Sequence, residues 1–228
     1  MTNSTADRRA RHLRWVIPVA LATVAVAPVI ARTPRPEIRE PEGVRTLADA
    51  VQHCRNTGLT GWDLVAYAQD LVHRKFSRYS ILSLWETPSR AFKNSRGYCS
   101  QYNGALWHIL RELGFEADRV FATRVRQDSN PWWRMGHSWV QVTIDGRTLD
   151  VCAGRPDNRP GHVSFIPVTE VLPFGAFTYW NTNNGMVLFT LGTVWRTLLR
   201  GQPLPRWVER EFGTRVHEPD PADRQTPG

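Results

Sequence analysis

The stretch RGYCSQYNGALWHIL, residues 96–110, places a cysteine at the start of a segment in which apolar side chains recur at helical spacing. This periodicity predicts a helix from about Cys99 to Leu113, with Gly114 at the position where a glycine commonly ends a helix. The helix dipole and the free backbone N–H groups favour a thiolate at such an N-terminus. Taken alone, a cysteine is more often a buried packing residue, so its role depends on its partners.

The segments around this helix predict one α+β domain, with helices first and an antiparallel sheet after them. Apolar residues at helical spacing mark the helices, and alternating or continuous apolar runs mark the strands. The tetrapeptide IDGR, residues 144–147, is typical of a tight hairpin turn between two strands. The predicted helices cover 45–54, 62–76 and 185–201, and the predicted strands cover 117–125, 137–144 and 147–153.

His137 and Asp150 are the residues that could make Cys99 a nucleophile. His137 begins the strand before the hairpin turn, and Asp150 lies on the strand that returns from it. An imidazole can take the thiol proton, and an aspartate on the adjacent strand can hold that imidazole in the useful tautomer. The sequence therefore predicts a triad with Cys99 as nucleophile, His137 as general base and Asp150 as the orienting acid.

An acyl-transfer site also needs donors for the oxyanion that forms during attack. The backbone N–H of Cys99 is the natural first donor. Candidates for a second donor, among which the sequence does not choose, are Trp85, Asn94 and Gln101.

The other two cysteines, Cys54 and Cys152, have no catalytic partners in their own sequence contexts. They are therefore interpreted as core residues or as a disulfide. A Cys54–Cys152 bridge that leaves Cys99 free and a set of three free thiols are both open.

Two motifs carry a resemblance to a known family. GYCSQYNGALWHILRELGFEADRVFA, from residue 97, followed by GHSWVQVTIDGRTLDV, from residue 136, resembles the transglutaminase-like core within the papain-like cysteine-enzyme fold. By this resemblance Cys99 matches the nucleophile, His137 the general base and Asp150 the orienting acid. The resemblance implies an enzyme that acts on amide bonds, either hydrolysing them or passing the acyl group to an amine.

A second resemblance and a non-catalytic reading give the alternatives. RGYCSQYN, residues 96–103, and LDVCAG, residues 149–154, are also similar to stretches of the arylamine N-acetyltransferases. That similarity implies N-acetylation with acetyl-CoA, for which an acetyl-cysteine adduct would be the sign. The third alternative is a binding module that keeps the fold without catalysis, in which Cys99 would show no unusual reactivity.

Residues 15–31 contain no charged side chain and follow four arginines. As a helix they would span roughly 25 Å, near the lower limit for a bilayer core. The basic flank predicts a cytoplasmic start, so we expect a single-pass membrane anchor, or a signal peptide cut after VIA, with the remainder outside the cytoplasm. The predicted organisation is a basic N-terminus (1–14), this segment (15–31), a proline-rich linker (32–44), the transglutaminase-like domain (45–212) and a disordered tail (213–228).

Composition excludes several classes of function. The net charge is +8, and the basic residues are spread too widely, without an RNA-binding signature or zinc-finger spacing, to predict a nucleic-acid partner. No metal-ligand spacing, calcium-type acidic cluster, phosphate loop or dinucleotide fingerprint is present, so no metal or cofactor is predicted. The expected partners are a peptide, protein or amide substrate, and a membrane through the N-terminal segment.

Overall fold

The structure is a computed structural model that describes residues 20, 23, 24, 26–31, 35, 37–128 and 130–214. Its helices are α1 (Leu47–Asn56), α2 (Gly61–Lys75), α3 (Pro88–Lys93), α4 (Cys99–Glu112) and α5 (Phe177–Leu199). Its strands are β1 (Arg78–Ser80), β2 (Arg96–Gly97), β3 (Glu116–Gln127), β4 (Asn130–Ile144), β5 (Arg147–Val151), β6 (Phe165–Pro167), β7 (Leu172–Pro173) and β8 (Glu209–Glu211).

The expected α+β class is confirmed, because α1 to α4 come first and an antiparallel sheet follows them. The main sheet has the strand order β5-β4-β3-β6, and β7 also pairs with β3. The predicted helices before residue 114 and the predicted strands between 117 and 153 overlap the observed elements. Long segments with one clear hydrophobic period, either helical or alternating, are the secondary-structure elements that a sequence predicts best.

The hairpin turn between β4 and β5 sets the register of the two strands that carry the site. Asp145 and Gly146 both have positive φ, at 51° and 75°, as a two-residue type I′ turn requires. The ladder that starts at this turn pairs Gln141 with Asp150. His137 lies further along β4, where it pairs with β3 instead.

Helix α4 packs its apolar face against α1, α2 and the main sheet. Leu106, Ile109 and Leu110 are fully buried in this core. At the start of the helix, the Arg119 guanidinium of β3 donates to the carbonyl of Ser100 at 2.8 Å. The first turn of α4 is therefore tied directly to the sheet.

A second, small sheet has the strand order β2-β1-β8 and was not predicted from the sequence. Strand β1 pairs in parallel with β2 and antiparallel with β8. Just beyond β8, the Phe212 ring packs against Phe76 and Tyr102, with ring centroids 5.4 and 5.1 Å apart. Strands of two or three residues show no readable alternation, which explains why local sequence did not reveal them.

The last helix begins at Phe177, eight residues before the start predicted from the sequence. The polar run NTNN, residues 181–184, has low helix propensity and led to the later predicted start. The helix continues through this run because extending a helix that has already formed costs far less than nucleating one.

Much of the predicted membrane segment lies outside the described residues, as do residues 1–14 and 215–228. Residues 26–31 are helical, and Val29 is buried. Within the described ranges, no helix is long and apolar enough to cross a membrane. The end of the predicted linker packs on the domain, since the backbone N–H of Arg39 donates to Ser95 Oγ at 2.9 Å.

Candidate active site

Cys99 is the first residue of α4, as the sequence predicted. Its side chain is half-buried and unbridged; Cys54 and Cys152 are also free thiols. Burial raises the pKa of the Cys99 thiol, while hydrogen bonds from Ser138 and Ser100 oppose that rise in pKa. Ser138 follows His137 on β4, so the thiol lies against the strand that carries the predicted base.

Gln101 holds the chain around Cys99 in place. Its amide nitrogen donates to the carbonyls of Ser83 and Glu86, at 2.6 and 2.8 Å, and its oxygen accepts from the backbone N–H of Tyr98 at 3.1 Å. A side chain at Gly97 would place its Cβ only 2.7 Å from that oxygen. Glycine at position 97 therefore permits the close approach of the chain to Gln101.

These hydrogen bonds bear on the oxyanion donors considered above. Both amide protons of Gln101 are engaged by backbone carbonyls, and the Asn94 amide donates to Glu86 Oε1 at 3.4 Å. The Trp85 side chain is 62% exposed. Of the three candidates, Trp85 is the one with its side chain open to a ligand.

His137 is buried in β4 between two aromatic rings. Trp139 stacks nearly parallel to the imidazole, with an interplanar angle of 13°, and Phe165 meets it edge-on at a centroid distance of 4.6 Å. Burial lowers the pKa of His137 to about 4. The imidazole is therefore neutral at physiological pH, the form that can accept a proton.

The nearest polar partner of His137 is a sulfur atom. His137 Nε2 lies 3.5 Å from Cys152 Sγ, and Cys152 directly follows the end of β5. The Asn103 amide from α4 also donates to this sulfur at 3.4 Å, and donates to the Ser138 carbonyl at 2.7 Å. Burial raises the pKa of Cys152 to about 11, so it is a neutral thiol at pH 7.

Asp150 has different partners from those predicted. Its Oδ1 accepts from Trp139 Nε1 at 2.7 Å and from Gln141 Nε2 at 3.0 Å. Among the described residues, no hydrogen bond joins His137 to Asp150 or to Cys99. The catalytic roles of Cys99, His137 and Asp150 stay predictions. In the part of the chain that the structure describes, Asp150 bonds to the Trp139 ring that stacks on the imidazole.

Sequence reasoning missed Cys152 and Asn103, although one signal for Cys152 was available. The hairpin turn pairs Gln141 with Asp150, and side chains two residues apart in a strand share a face. His137 lies four residues before Gln141 and Cys152 lies two residues after Asp150, so both side chains are on the face that this pair shares. No comparable signal exists for Asn103, because its position depends on how α4 lies across the sheet.

Three cavities in the described region bear on where a ligand could enter. The one beside His137 and Cys152 holds about 50 Å³ and is also lined by Arg155 and Arg210. Larger cavities of about 550 and 690 Å³ are lined by neither Cys99 nor His137. Among the residues that the structure describes, no group of three or more His, Cys, Asp or Glu side chains is arranged to hold a metal ion.

The comparisons with known proteins give a family match and a structural neighbour. The family model of the transglutaminase-like superfamily matches residues 45–149, a region that contains Cys99 and His137 and stops one residue before Asp150. A solved structure of a candidate cysteine protease from Cytophaga hutchinsonii is 16% identical, with a TM-score of 0.40, over 56% of this chain and 47% of that one. This chain thus spans about half the length of that protein. No curated protein matches the sequence.

Proposed function

From the transglutaminase-like resemblance, now borne out by the family match over residues 45–149, we propose that this protein is a cysteine-dependent acyl enzyme. The family match supports a cysteine-dependent catalytic role. In the proposed reaction, Cys99 Sγ attacks the carbonyl carbon of an amide while His137 takes the thiol proton. The leaving amine departs with that proton, and water or a second amine then takes the acyl group from the sulfur.

One observation carries the proposal most directly. The Cys99 thiol begins α4 and hydrogen-bonds to Ser138, the residue next to a buried, neutral His137 on β4. The backbone N–H of Cys99, at the start of α4, is the donor that we propose for the negative charge that forms on the attacked oxygen. The nucleophile, the base and an oxyanion donor therefore come from two elements that pack directly together.

The pKa directions favour a neutral thiol–imidazole pair over a thiolate–imidazolium pair in the resting protein. Burial raises the pKa of Cys99 and lowers the pKa of His137 to about 4. Neither shift prevents catalysis, because a neutral imidazole can remove the thiol proton during attack as a general base. The pH at which alkylation of Cys99 by iodoacetamide reaches half its maximal rate should accordingly lie above that of an ordinary thiol.

The substrate class that we propose is a peptide or protein amide, with hydrolysis or transfer to an amine as the two outcomes. Acetyl-CoA-dependent acetylation and a non-catalytic binding role are the competing functions. A short glutamine-containing peptide, an activated ester and acetyl-CoA therefore serve as the three acyl donors of one experiment.

The test is capture of the acyl-enzyme by intact-protein mass spectrometry. p-Nitrophenyl acetate should add one acetyl group to the wild type and none to Cys99→Ala, with Cys54→Ala as a matched control that still acylates. His137→Ala should slow acylation by about 10²–10⁴-fold. Ammonia release from the glutamine peptide with water, or hydroxamate formation with hydroxylamine, then separates hydrolysis from transfer.

Each other result has a definite meaning. Acetylation of Cys99 by acetyl-CoA at a rate above that of the ester would favour the acetyltransferase alternative. Equal labelling of wild type and Cys99→Ala, or no labelling of either, would reject the acyl-enzyme proposal and leave the binding module.

We also propose that the domain is held at a membrane, with residues 15–31 as its anchor or signal segment and the domain outside the cytoplasm. Helix α5 supports this location because several of its large apolar side chains are exposed, although Val194 is buried in the core. Its threonines Thr190, Thr193 and Thr197 are buried, whereas Leu188 and Leu199 are 73% and 79% exposed. The helix contains no acidic residue, so its apolar surface suits an anionic bilayer.

Vesicle co-sedimentation tests whether α5 forms a membrane surface. Purified protein that lacks residues 1–31 should pellet with phosphatidylglycerol vesicles and less with phosphatidylcholine vesicles. The double variant Leu188→Asn/Leu199→Asn should lose this binding, while Leu59→Asn, an exposed leucine outside α5, should keep it. Binding that is indifferent to both variants would show that α5 is not the membrane surface.

A further inference from the structure

We infer that Cys152 is a positioning residue of this site, whose sulfur accepts the Nε2–H of His137 and leaves Nδ1 free to take the proton of Cys99. The inference rests on the proposed function for its catalytic meaning. Its geometry is independent of any substrate, because it concerns which nitrogen of a buried imidazole carries the proton in the resting protein.

The buried imidazole of His137 is in contact with the thiol of Cys152. His137 Nε2 lies 3.5 Å from Cys152 Sγ, within the range for a hydrogen bond to sulfur, and both side chains are more than nine-tenths buried. Nε2 makes no other hydrogen bond within the described residues. Since the two imidazole nitrogens share one proton in the neutral form, the partner at Nε2 decides which nitrogen remains basic.

Two further N–H groups donate hydrogen bonds to the Cys152 sulfur. The Asn103 amide donates to Cys152 Sγ at 3.4 Å, and the Gly154 backbone N–H also hydrogen-bonds to it. Both groups can only donate, so they mark the sulfur as an acceptor. A thiol is a weak donor and an imidazole N–H is a strong one, which favours Nε2–H donating to Cys152 over the reverse arrangement.

Hydrogen bonds to the backbone hold the Asn103 side chain in place. It is 1% exposed, its amide also donates to the Ser138 carbonyl at 2.7 Å, and its oxygen accepts from the Ala153 backbone N–H at 3.0 Å. One side chain of α4 therefore bridges β4 and the turn after β5, and keeps Cys152 opposite His137.

Cys152 and Asp150 differ in their partners, since Cys152 contacts the imidazole and Asp150 does not. The Asp150 carboxylate is occupied by Trp139 Nε1 and Gln141 Nε2, so it orients the ring that stacks on His137 without touching the imidazole. A neutral thiol in the third position leaves no bonded anion to stabilise an imidazolium. This arrangement agrees with a His137 pKa of about 4.

The experiment reads the tautomer directly from the ¹⁵N chemical shifts of His137 in the full chain at pH 7. We expect the Nε2–H form in the wild type and in Cys54→Ala. Cys152→Ser, whose hydroxyl also accepts, should keep that form, while Cys152→Ala should mix the two tautomers. With p-nitrophenyl acetate, Cys152→Ala should lower the maximal acylation rate by about 10–100-fold through misorientation of the base, with little change in the half-saturating ester concentration.

A carboxylate at position 152 provides a second test, in which the reactivity of Cys99 should increase. Cys152→Asp should raise the pKa of His137 and move the onset of Cys99 alkylation to lower pH, by at least tenfold in rate at pH 6.5, because the imidazolium then has an anionic partner. If this variant does not fold, the wild-type, Cys152→Ser and Cys152→Ala spectra still decide the question.

Three results would overturn the inference. These are an Nδ1–H tautomer in the wild type, an Nε2–H tautomer unchanged in Cys152→Ala, and a tautomer lost in Asp150→Asn but kept in Cys152→Ala. All three can occur while Cys99 still forms an acyl-enzyme, so they are distinguishable from failure of the proposed function. Conversely, a protein that does not acylate can still show the predicted tautomer.

Discussion

The imidazole of His137 shows how burial alone sets the chemistry of a side chain. Trp139 and Phe165 enclose the ring, and its polar contact is the neutral thiol of Cys152. Desolvation of the charged form is the cause of its low pKa. The same burial that keeps this imidazole neutral at physiological pH also makes the folded protein sensitive to acid.

This sensitivity predicts a pH dependence of the free energy of unfolding. Between pH 6.5 and about 4, an unfolded histidine binds a proton that the folded His137 does not, so stability falls as the pH decreases through that window. The full difference in pKa corresponds to about 3 kcal/mol. Urea denaturation at several pH values should show this slope in the wild type.

His137→Gln is the comparison for that slope. Its stability should vary less with pH between 6.5 and 4, with a remaining part from His73, whose pKa burial also lowers. Identical pH profiles for the two proteins would contradict the account of His137.

At the scale of single elements, Gln101 and the β4–β5 hairpin do the most to place the site. Gln101 ties the first turn of α4 to the segment that contains Ser83 and Glu86. The hairpin aligns β5 on β4 through a turn whose two residues both have positive φ. Neither Gln101 nor the turn belongs to the predicted triad, yet each fixes an element on which a triad residue lies.

Gln101→Leu should lower the free energy of unfolding by about 2–4 kcal/mol, because two buried carbonyls and the Tyr98 N–H lose their partner. Chemical denaturation measures the change. Gln52→Ala, which removes an exposed glutamine of α1 whose amide donates to Asn56 Oδ1, should cost less than about 0.5 kcal/mol. Equal losses of unfolding free energy in the two variants would show that the Gln101 hydrogen bonds stabilise the protein no more than those of an exposed glutamine.

Gly146→Ala should destabilise the protein by about 1–2 kcal/mol, since alanine disfavours the left-handed conformation found at φ 75°. Gly192→Ala should have the opposite sign and add about 0.5–1 kcal/mol, because it lies within α5 with open space at its Cβ. Thermal denaturation of both variants tests the pair. A neutral Gly146→Ala would mean that the turn tolerates another conformation.

At the scale of the whole molecule, the C-terminal part of the described chain closes the domain against its first half. Strand β8 pairs with β1, and Phe212 packs among His73, Phe76 and Tyr102. Tyr102 belongs to α4, so this aromatic cluster also supports the helix that begins with Cys99. The domain therefore depends on chain beyond residue 149, where the family match ends.

Phe212→Ala should accordingly cost about 2–3 kcal/mol, somewhat less than a fully buried phenylalanine because the ring is partly exposed. Phe177→Ala is the matched control, since that side chain is 79% exposed and its loss should leave the melting temperature within a degree or two. A similar melting temperature for wild type and Phe212→Ala would show that the C-terminal closure contributes little.

The sequence by itself determined the helix that begins at Cys99, the tight turn at Asp145–Gly146 and the α+β order, because each follows from contacts between residues near in the chain. It also determined that Gln141 faces Asp150, once the turn type is known. The same hairpin also places His137 and Cys152 on one face of the sheet. Only the tertiary structure decided that Asn103 bridges the two strands and that β8 joins β1. These arrangements depend on how α4 lies across the sheet and how distant segments pack, and such non-local geometry leaves no periodic trace in the sequence.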